Sequence, residues 1–328
     1  MTTAELQLLQ ALPLEDKIKK SALRIREWYE HWCGNVYISF SGGKDSTVLL
    51  YLVRSLYPDV PAVFCDTGLE YPEIREFVTQ HENVTTVQPA MNFREVLQKY
   101  GYPVVSKEQS RYIYDIRNTR SEELRDFRLN GKTLPDGRKA KLGFLSKRWR
   151  FLLDAPFKIS DKCCDVMKKR PLNIYEKETW RHMMTGEMAS ESRRRKSTYL
   201  MRGCNSFEMK RPKSTPIAFW TEQDVLNYLR EYRIPYSSVY GDIMKREDGT
   251  LMLTGCERTG CMFCMFGVHL EKGENRFVRM KQTHPNIWNY CIHSLGIGEV
   301  MDYIGIPCDR DNRAMTASNP EHTASEVK

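Results

Sequence analysis

Residues 36–53 read VYISFSGGKDSTVLLYLV, and this stretch limits the fold more than any other in the chain. A β-branched and aromatic run stops at two glycines and resumes as an apolar run of helical period. A strand must therefore turn directly into a helix. Gly42 and Gly43 allow a tight turn and close approach of the backbone to a ligand. The helix points its free N–H groups and positive dipole end at that turn. Lys44 adds a full charge, and Ser39, Ser41, Ser46 and Thr47 add hydroxyls. Together these groups suit a pyrophosphate-like anion. Asp45 does not suit an anion alone, and a carboxylate beside phosphates implies Mg²⁺. The spacing is not that of the Walker loop, which needs four residues between its glycine and Gly-Lys-[ST].

The flanking pattern extends this unit. Residues 4–32 carry apolar side chains at roughly helical period. Strands are predicted over 36–40, 61–65 and 84–88, and helices over 46–56, 71–80 and 93–99. Such alternation gives a parallel twisted sheet flanked by helices, a Rossmann-like α/β fold. The second strand ends in Asp66-Thr67-Gly68, at the sheet edge where open α/β sheets bind ligands. There Asp66 can accept from ribose or adenine, hold a metal, or simply cap a helix. A further strand is expected to end at Thr185-Gly186, and a capped amphipathic helix over 221–232. The expected organisation is an N-terminal helix (1–32), a nucleotide-binding domain (33–235), a cysteine-rich C-terminal lobe (236–308) and a disordered tail (309–328). The nucleotide-binding domain contains a basic helical insertion at about 101–157, with a mobile tip at NGKTLPDGRK.

Charge and cysteine content narrow the partners. The net charge of +8 is unevenly spread. Residues 106–150 hold 13 Lys/Arg against 6 Asp/Glu, and residues 192–213 hold 8 against 1. Such runs suit a polyanion, though an ordinary solvated face looks the same. No apolar run is long enough for a membrane span and the N-terminus has no signal pattern, so a cytoplasmic protein is expected. Ten cysteines in that setting read as metal or redox chemistry and not as a disulfide framework. Cys163, Cys164, Cys256, Cys261 and Cys264 cluster. Cys33, Cys65 and Cys291 sit among apolar residues and are expected in the core, while Cys204 and Cys308 stay open.

The segment Ser39-Phe40-Ser41-Gly42-Gly43-Lys44-Asp45-Ser46 resembles the PP-loop of the N-type ATP pyrophosphatases. Four more segments are similar, in order, to the phosphoadenosine-phosphosulfate reductase family. They are DTGLEYPEI from Asp66, KCCDVMKKRPL from Lys162, TGEMASESRRR from Thr185 and PIAFWTEQDVLNYLREYRIPY from Pro216. The resemblance implies an adenine nucleotide alpha hydrolase-like fold. It also implies nucleotide contacts at Ser39, Ser41, Gly42, Gly43, Ser46, Thr47, Asp66, Thr67, Gly68, Gly186, Glu191, Ser192 and Arg195, with Lys44 and Asp45 as catalytic residues. The branch that reduces adenylyl sulfate binds a 4Fe-4S cluster, which implies Cys163, Cys164, Cys261 and Cys264 as ligands here. Cys256 is an alternative ligand, and zinc an alternative metal.

Two departures select among branches. The chain lacks the reductases' C-terminal Glu-Cys-Gly-Leu-His segment, and Cys308 in GIPCDRD lacks those neighbours. Its loop keeps Lys44 and Asp45, which reductases often lose. Met188 stands where the family has an arginine, after Glu187, which puts sulfonucleotide contacts in doubt. The chain therefore looks most like the iron–sulfur ATP pyrophosphatases of nucleic-acid sulfur modification, acting on DNA or tRNA. The cofactors expected are Mg-ATP and a 4Fe-4S cluster, with a cysteine desulfurase as a possible sulfur donor. Tyr112, Tyr114, Phe127, Phe144, Trp149 and Phe151 in the insertion would stack on bases or form its core. One alternative is an adenylyl-sulfate or phosphoadenylyl-sulfate reductase using thioredoxin, with Cys308 or Cys256 as nucleophile. Another is a non-catalytic nucleotide- or nucleic-acid-binding subunit.

Overall fold

A computed structural model describes residues 1–132, 138 and 142–309. Two compact units result, Met1–Cys264 and one beginning at Met265. The first unit opens with two helices, α1 (Thr3–Gln10) and α2 (Leu14–His31), where the sequence suggested one. Pro13 explains the break: it lacks an N–H and sits as the extended residue before α2.

The chain then runs β1 (Val36–Ser39), α3 (Lys44–Arg54), β2 (Ala62–Cys65), α4 (Pro72–Thr79), β3 (Val84–Val87) and α5 (Phe93–Tyr100). The insertion contributes α6 (Lys107–Asn118), α7 (Glu122–Asn130) and a 3₁₀ turn at Lys147–Asp154. A π-helical turn at Asp165–Lys169 leads into α8 (Arg170–Thr179), followed by β4 (His182–Thr185) and α9 (Arg193–Arg202). Two short strands, β5 (Asn205–Ser206) and β6 (Lys213–Ser214), precede α10 (Glu222–Glu231). A hairpin of β7 (Ile243–Lys245) and β8 (Leu251–Leu253) follows. The second unit is helical, with α11 (Arg276–Thr283), α12 (Pro285–Asn289) and α13 (Ile297–Tyr303).

The main sheet has the order β3-β2-β1-β4-β6-β5, and every pair is parallel except β5 with β6. Ser39 of β1 lies opposite Val63 on one side and Thr185 on the other. Strand order thus reverses at β1: β2 and β3 extend one way, β4 and β6 the other. The carboxyl ends of β1 and β4 therefore flank a topological switch point, where the connections diverge and leave a crevice. Both faces of β1 are covered. Val36, Ile38 and Phe40 join the large core with Ile25 and Trp28 of α2 and Val48 and Leu49 of α3. Tyr37 packs the other way, with Met183 and Tyr175. Double burial explains why VYISF shows no polar alternation.

Long-range polar contacts pin α2 to α10. Lys17 Nζ meets Asp224 Oδ2 at 2.7 Å in a buried pair and also donates to the Gln10 carbonyl. Asp224 simultaneously closes the capping box of α10 with Thr221. The indole of Trp220 donates to Ser21 Oγ.

Several sequence expectations shift. Cys33 is exposed, at the turn after α2, with φ of 48°, so it is not a core residue. Its apolar neighbours belong to α2 and β1, while the turn between them faces water. Cys65 is half-buried and Cys291 buried, as are Cys204 and Cys308. Among the insertion's aromatics Trp149 is buried, Phe151 is 42% exposed, and the Arg128 guanidinium lies over the Tyr112 ring at 4.5 Å. The tip expected to be mobile lies mostly outside the described residues, as does the tail from residue 310. No helix among the described residues is long and apolar enough to cross a membrane.

Candidate functional site

The turn after β1 is built for close approach. Gly42 has φ of +71°, and a Cβ there would come within 2.8 Å of Ile74 Cγ2 and 2.9 Å of Val78 Cγ2. A side chain is thus excluded both by conformation and by space. Ser46 Oγ donates to the Gly43 carbonyl at 2.8 Å and lies 3.1 Å from Ser41 Oγ, which ties the turn to the first turn of α3. Gly43 occupies the N-cap of α3 without a capping side chain, so the helix end stays open to a ligand. Gly186 at the end of β4 packs on the same turn: a Cβ there would meet the Asp45 carbonyl at 2.7 Å.

A cavity of about 390 Å³ fills the crevice between these ends. Its floor is Ser39, Ser41, Gly43, Lys44, Asp45 and Ser46. One wall is the turn after β4, from Thr185 to Met188, with Ser190, Glu191 and Arg195. The other wall is Glu222, Tyr240, Arg258, Thr259 and Gly260.

Lys44 is buried, and its Nζ donates to the Glu257 carbonyl at 2.9 Å while lying 3.2 Å from Glu222 Oε1. Its backbone N–H donates to the Tyr240 hydroxyl, which lies 2.6 Å from Thr259 Oγ1. Burial pushes the Asp45 carboxyl up to about 6; Lys44 works against this, and Glu191 and Glu222 add to it. Asp45 Oδ1 is buried without a hydrogen-bond partner, and the Lys44 ammonium is 4.0 Å away. An orphaned carboxylate oxygen at an open helix end fits a divalent cation, which would satisfy it and offset the repulsion. Glu187 is the opposite case. Burial alone would raise its carboxyl, but Lys213 at 2.8 Å and Arg195 outweigh burial and hold it below the usual range.

Of the residues expected to contact nucleotide, Ser39, Ser41, Gly43, Lys44, Asp45, Ser46, Gly186, Glu191 and Arg195 line this one cavity. Gly42 and Thr47 support it from behind, Thr47 through its bond to the Gly43 carbonyl. Ser192 caps α9. Asp66, Thr67 and Gly68 are outside the lining. Asp66 accepts from Arg75 at 2.8 Å and from Gly68 N, and the Thr67 hydroxyl bonds Glu70. Sequence reasoning missed Glu222, Tyr240, Arg258 and Thr259. Arg258 in particular is an exposed cation on the wall, near enough to Asp45 to act on its carboxyl.

The cysteines gather in the same unit. Cys163 hydrogen-bonds Cys164 and senses the charges of Cys261 and Cys264. That hydrogen bond, with Lys107 and Lys168 adjacent, draws the Cys164 thiol down to about 5 against the effect of burial, and Cys163 shifts up correspondingly. Burial pushes Cys261 up to about 11, opposed by Lys168, which also lies 3.2 Å from Glu70. Among the described residues no three Cys, His, Asp or Glu side chains converge as ligands of one ion do. A 4Fe-4S cluster asks for a different arrangement, since its four thiolates bind four separate irons. Cys163, Cys164, Cys261 and Cys264 lie near enough to one another for their charges to interact. Cys256 stands apart from them, near enough to Tyr240 to act on its hydroxyl.

A family model described as the phosphoadenosine phosphosulfate reductase domain matches residues 35–117 and 106–266. An uncharacterized protein of Methanocaldococcus jannaschii is 25% identical over 284 residues, 84% of this chain and 52% of its own. The chain thus spans about half the length of that relative. An adenosine 5'-phosphosulfate reductase of Bacillus cereus is 22% identical over 69% of this chain and 76% of its own. Among solved structures, the phosphoadenylyl-sulfate reductase of Candida auris is similar with a TM-score of 0.39 and 14% identity, over 76% of this chain and 98% of that one.

Proposed function

The chain belongs to the phosphoadenosine phosphosulfate reductase domain family, and within it we propose a PP-loop ATP pyrophosphatase that adenylylates an acceptor in sulfur chemistry. The observation that carries this reading is the pairing of Lys44 with an unsatisfied Asp45 oxygen at the open end of α3. A domain that only held a sulfonucleotide would have no use for a buried carboxylate beside phosphates. ATP would lie with its phosphates over Ser41–Ser46, and Asp45 would hold Mg²⁺. The metal, when bound, neutralises charge on the phosphate oxygens.

Lys44 exchanges the Glu257 carbonyl and Glu222 for the phosphates, and Arg258 approaches from the same wall. An acceptor oxygen attacks the α-phosphorus and loses its proton, the α–β anhydride breaks, and pyrophosphate leaves. Lys44, Arg258 and the N–H groups of α3 stabilise the charge that develops on it. The acceptor is proposed to be a nucleic acid, DNA or tRNA, with a cysteine desulfurase as sulfur donor. Cys163, Cys164, Cys261 and Cys264 are proposed to hold a 4Fe-4S cluster, which ties the chain together or carries sulfur.

Incubation with Mg-ATP and candidate acceptors, with pyrophosphate as readout, tests the proposal. Release that is lost in Lys44→Ala supports it. No release together with no ATP binding rejects it. The second reading, thioredoxin-dependent reduction of adenylyl sulfate or its 3′-phosphorylated form, is favoured by the resemblance to named reductases. Cys308 is buried, so Cys256 beside Tyr240 is the better-placed thiol for it. Sulfite release that disappears in Cys256→Ser would favour this reading.

A further inference from the structure

The base of the insertion is closed by backbone pairing. The Tyr102 N–H donates to the Lys158 carbonyl at 2.8 Å, and the Ser160 N–H donates to the Tyr102 carbonyl at 3.2 Å. Gly101 has φ of +100°, and a Cβ there would lie 2.3 Å from the Lys158 carbonyl carbon, so this approach requires glycine. From that base the chain reaches the paired cysteines twice. One arm runs from Ser160 to Cys163 and Cys164. The other passes through Val105 into the first turn of α6. Val105 is buried with φ of 60°, a conformation that a β-branched residue adopts only where its surroundings impose it. Here Ser110 Oγ donates to the Val104 carbonyl at 2.6 Å, and Ser106 caps α6 by accepting from the Gln109 N–H. The turn sets Lys107, the first residue of α6, against Cys164, whose sulfur it hydrogen-bonds. Lys168, from the π-helical turn, hydrogen-bonds Cys261 and Glu70 instead, and reaches Cys164 by charge alone. Each lysine thus bonds a different thiol, and the one on Cys164 is brought by the insertion.

We infer that Lys107 is a positioning residue for the cluster, holding the Cys164 sulfur and raising the cluster's reduction potential. The inference rests on the reading that Cys163, Cys164, Cys261 and Cys264 hold a 4Fe-4S cluster. Four thiolates outweigh the positive charge of an oxidised core, and one added electron makes the site more negative still. A hydrogen bond to a ligand sulfur and a cation beside it both favour the form that carries that electron. Lys107 supplies the two together. Its exposed stem leaves part of the charge to solvent, so the bond to sulfur is the larger share of the effect. The insertion therefore does more than present a basic surface: its closed base and the turn at Val105 deliver one donor to one cluster ligand.

The test uses the full chain, reconstituted anaerobically with iron and sulfide and titrated with dithionite as the electron donor. Bleaching of the visible absorption and the electron paramagnetic resonance of the reduced form are the readouts. Lys107→Met should keep its iron and shift the one-electron reduction equilibrium about tenfold towards the oxidised form, about 59 mV. Lys107→Gln, which keeps a donor without the charge, should shift it the same way by at least about threefold, and decides the matter if Lys107→Met does not retain iron. Lys107→Arg should stay within about threefold of the unaltered chain, and Arg111→Met, one turn further along α6, should not differ from it. An unchanged equilibrium in Lys107→Met and Lys107→Gln overturns the inference while leaving the cluster in place. An equal shift in Arg111→Met overturns the assignment to Lys107, and a cluster that dithionite does not reduce overturns the claim on potential. Failure of the unaltered chain to take up iron removes the underlying reading and this one with it.

Discussion

The backbone N–H of Lys44 donates to the Tyr240 hydroxyl at 3.0 Å, across 196 positions of sequence. This N–H belongs to the open end of α3, where a phosphate oxygen is its alternative partner. Tyr240 is 2% exposed, so its removal leaves unsatisfied groups behind. Tyr240→Phe should lower stability by about 1–2 kcal/mol in urea without nucleotide, and by less with saturating Mg-ATP. An equal loss in both conditions would show that phosphate does not take the hydroxyl's place.

The buried pair of Lys17 and Asp224 anchors the start of α10, and the next residue but one before Asp224 is Glu222, which touches Lys44. Removing one partner leaves an uncompensated charge. Asp224→Asn should therefore cost about 3–5 kcal/mol, read as a shift of the urea midpoint. Lys17→Met combined with Asp224→Leu should recover most of that loss. No recovery would mean that the capping bond to Thr221, and not the charge pair, sets the stability.

Asp45 carries a pH signature. Its folded pKa, about 6, lies above the ordinary 3.8, so between these values the folded chain holds the proton more tightly than the unfolded one. The stabilising effect of protonation is complete below about pH 4 and is lost as pH rises through about 6. Asp45→Asn should therefore stabilise the metal-free protein by about 3 kcal/mol at pH 7.5 and leave it nearly unchanged at pH 4. A pH-independent gain would reject burial of this carboxylate as the cause.

Anaerobically purified protein should contain iron and absorb in the visible region. Cys261→Ser should lose most of both signals, whereas Cys256→Ser should keep them. Iron lost equally in both variants would place Cys256 among the ligands.

The parts legible in the sequence are those fixed by local chemistry. The turn at Gly42 and Gly43 was readable because a change of period, two glycines and a lysine coincide within a few residues. The strands at 62–65 and 182–185 were readable because both faces of each are buried in apolar packing. β5 and β6 were not, since Asn-Ser and Lys-Ser carry no strand pattern and are held only by their pairing and neighbours. Glu222, Tyr240, Arg258 and Thr259 left no local signal either. They reach the cavity because distant segments cross over the turn, which no window of sequence contains. Cys33 was misread because its apolar neighbours belong to flanking elements rather than to its own turn.

The cavity's three sides come from residues 39–46, 185–195 and 222–260. On a ribosome adding about 5–20 residues per second, Tyr240 follows Lys44 by roughly 10–40 s. During that interval the lysine has neither its carbonyl partner nor its aromatic neighbour. Prematurely released chains ending before α10 would lack one side of the cavity.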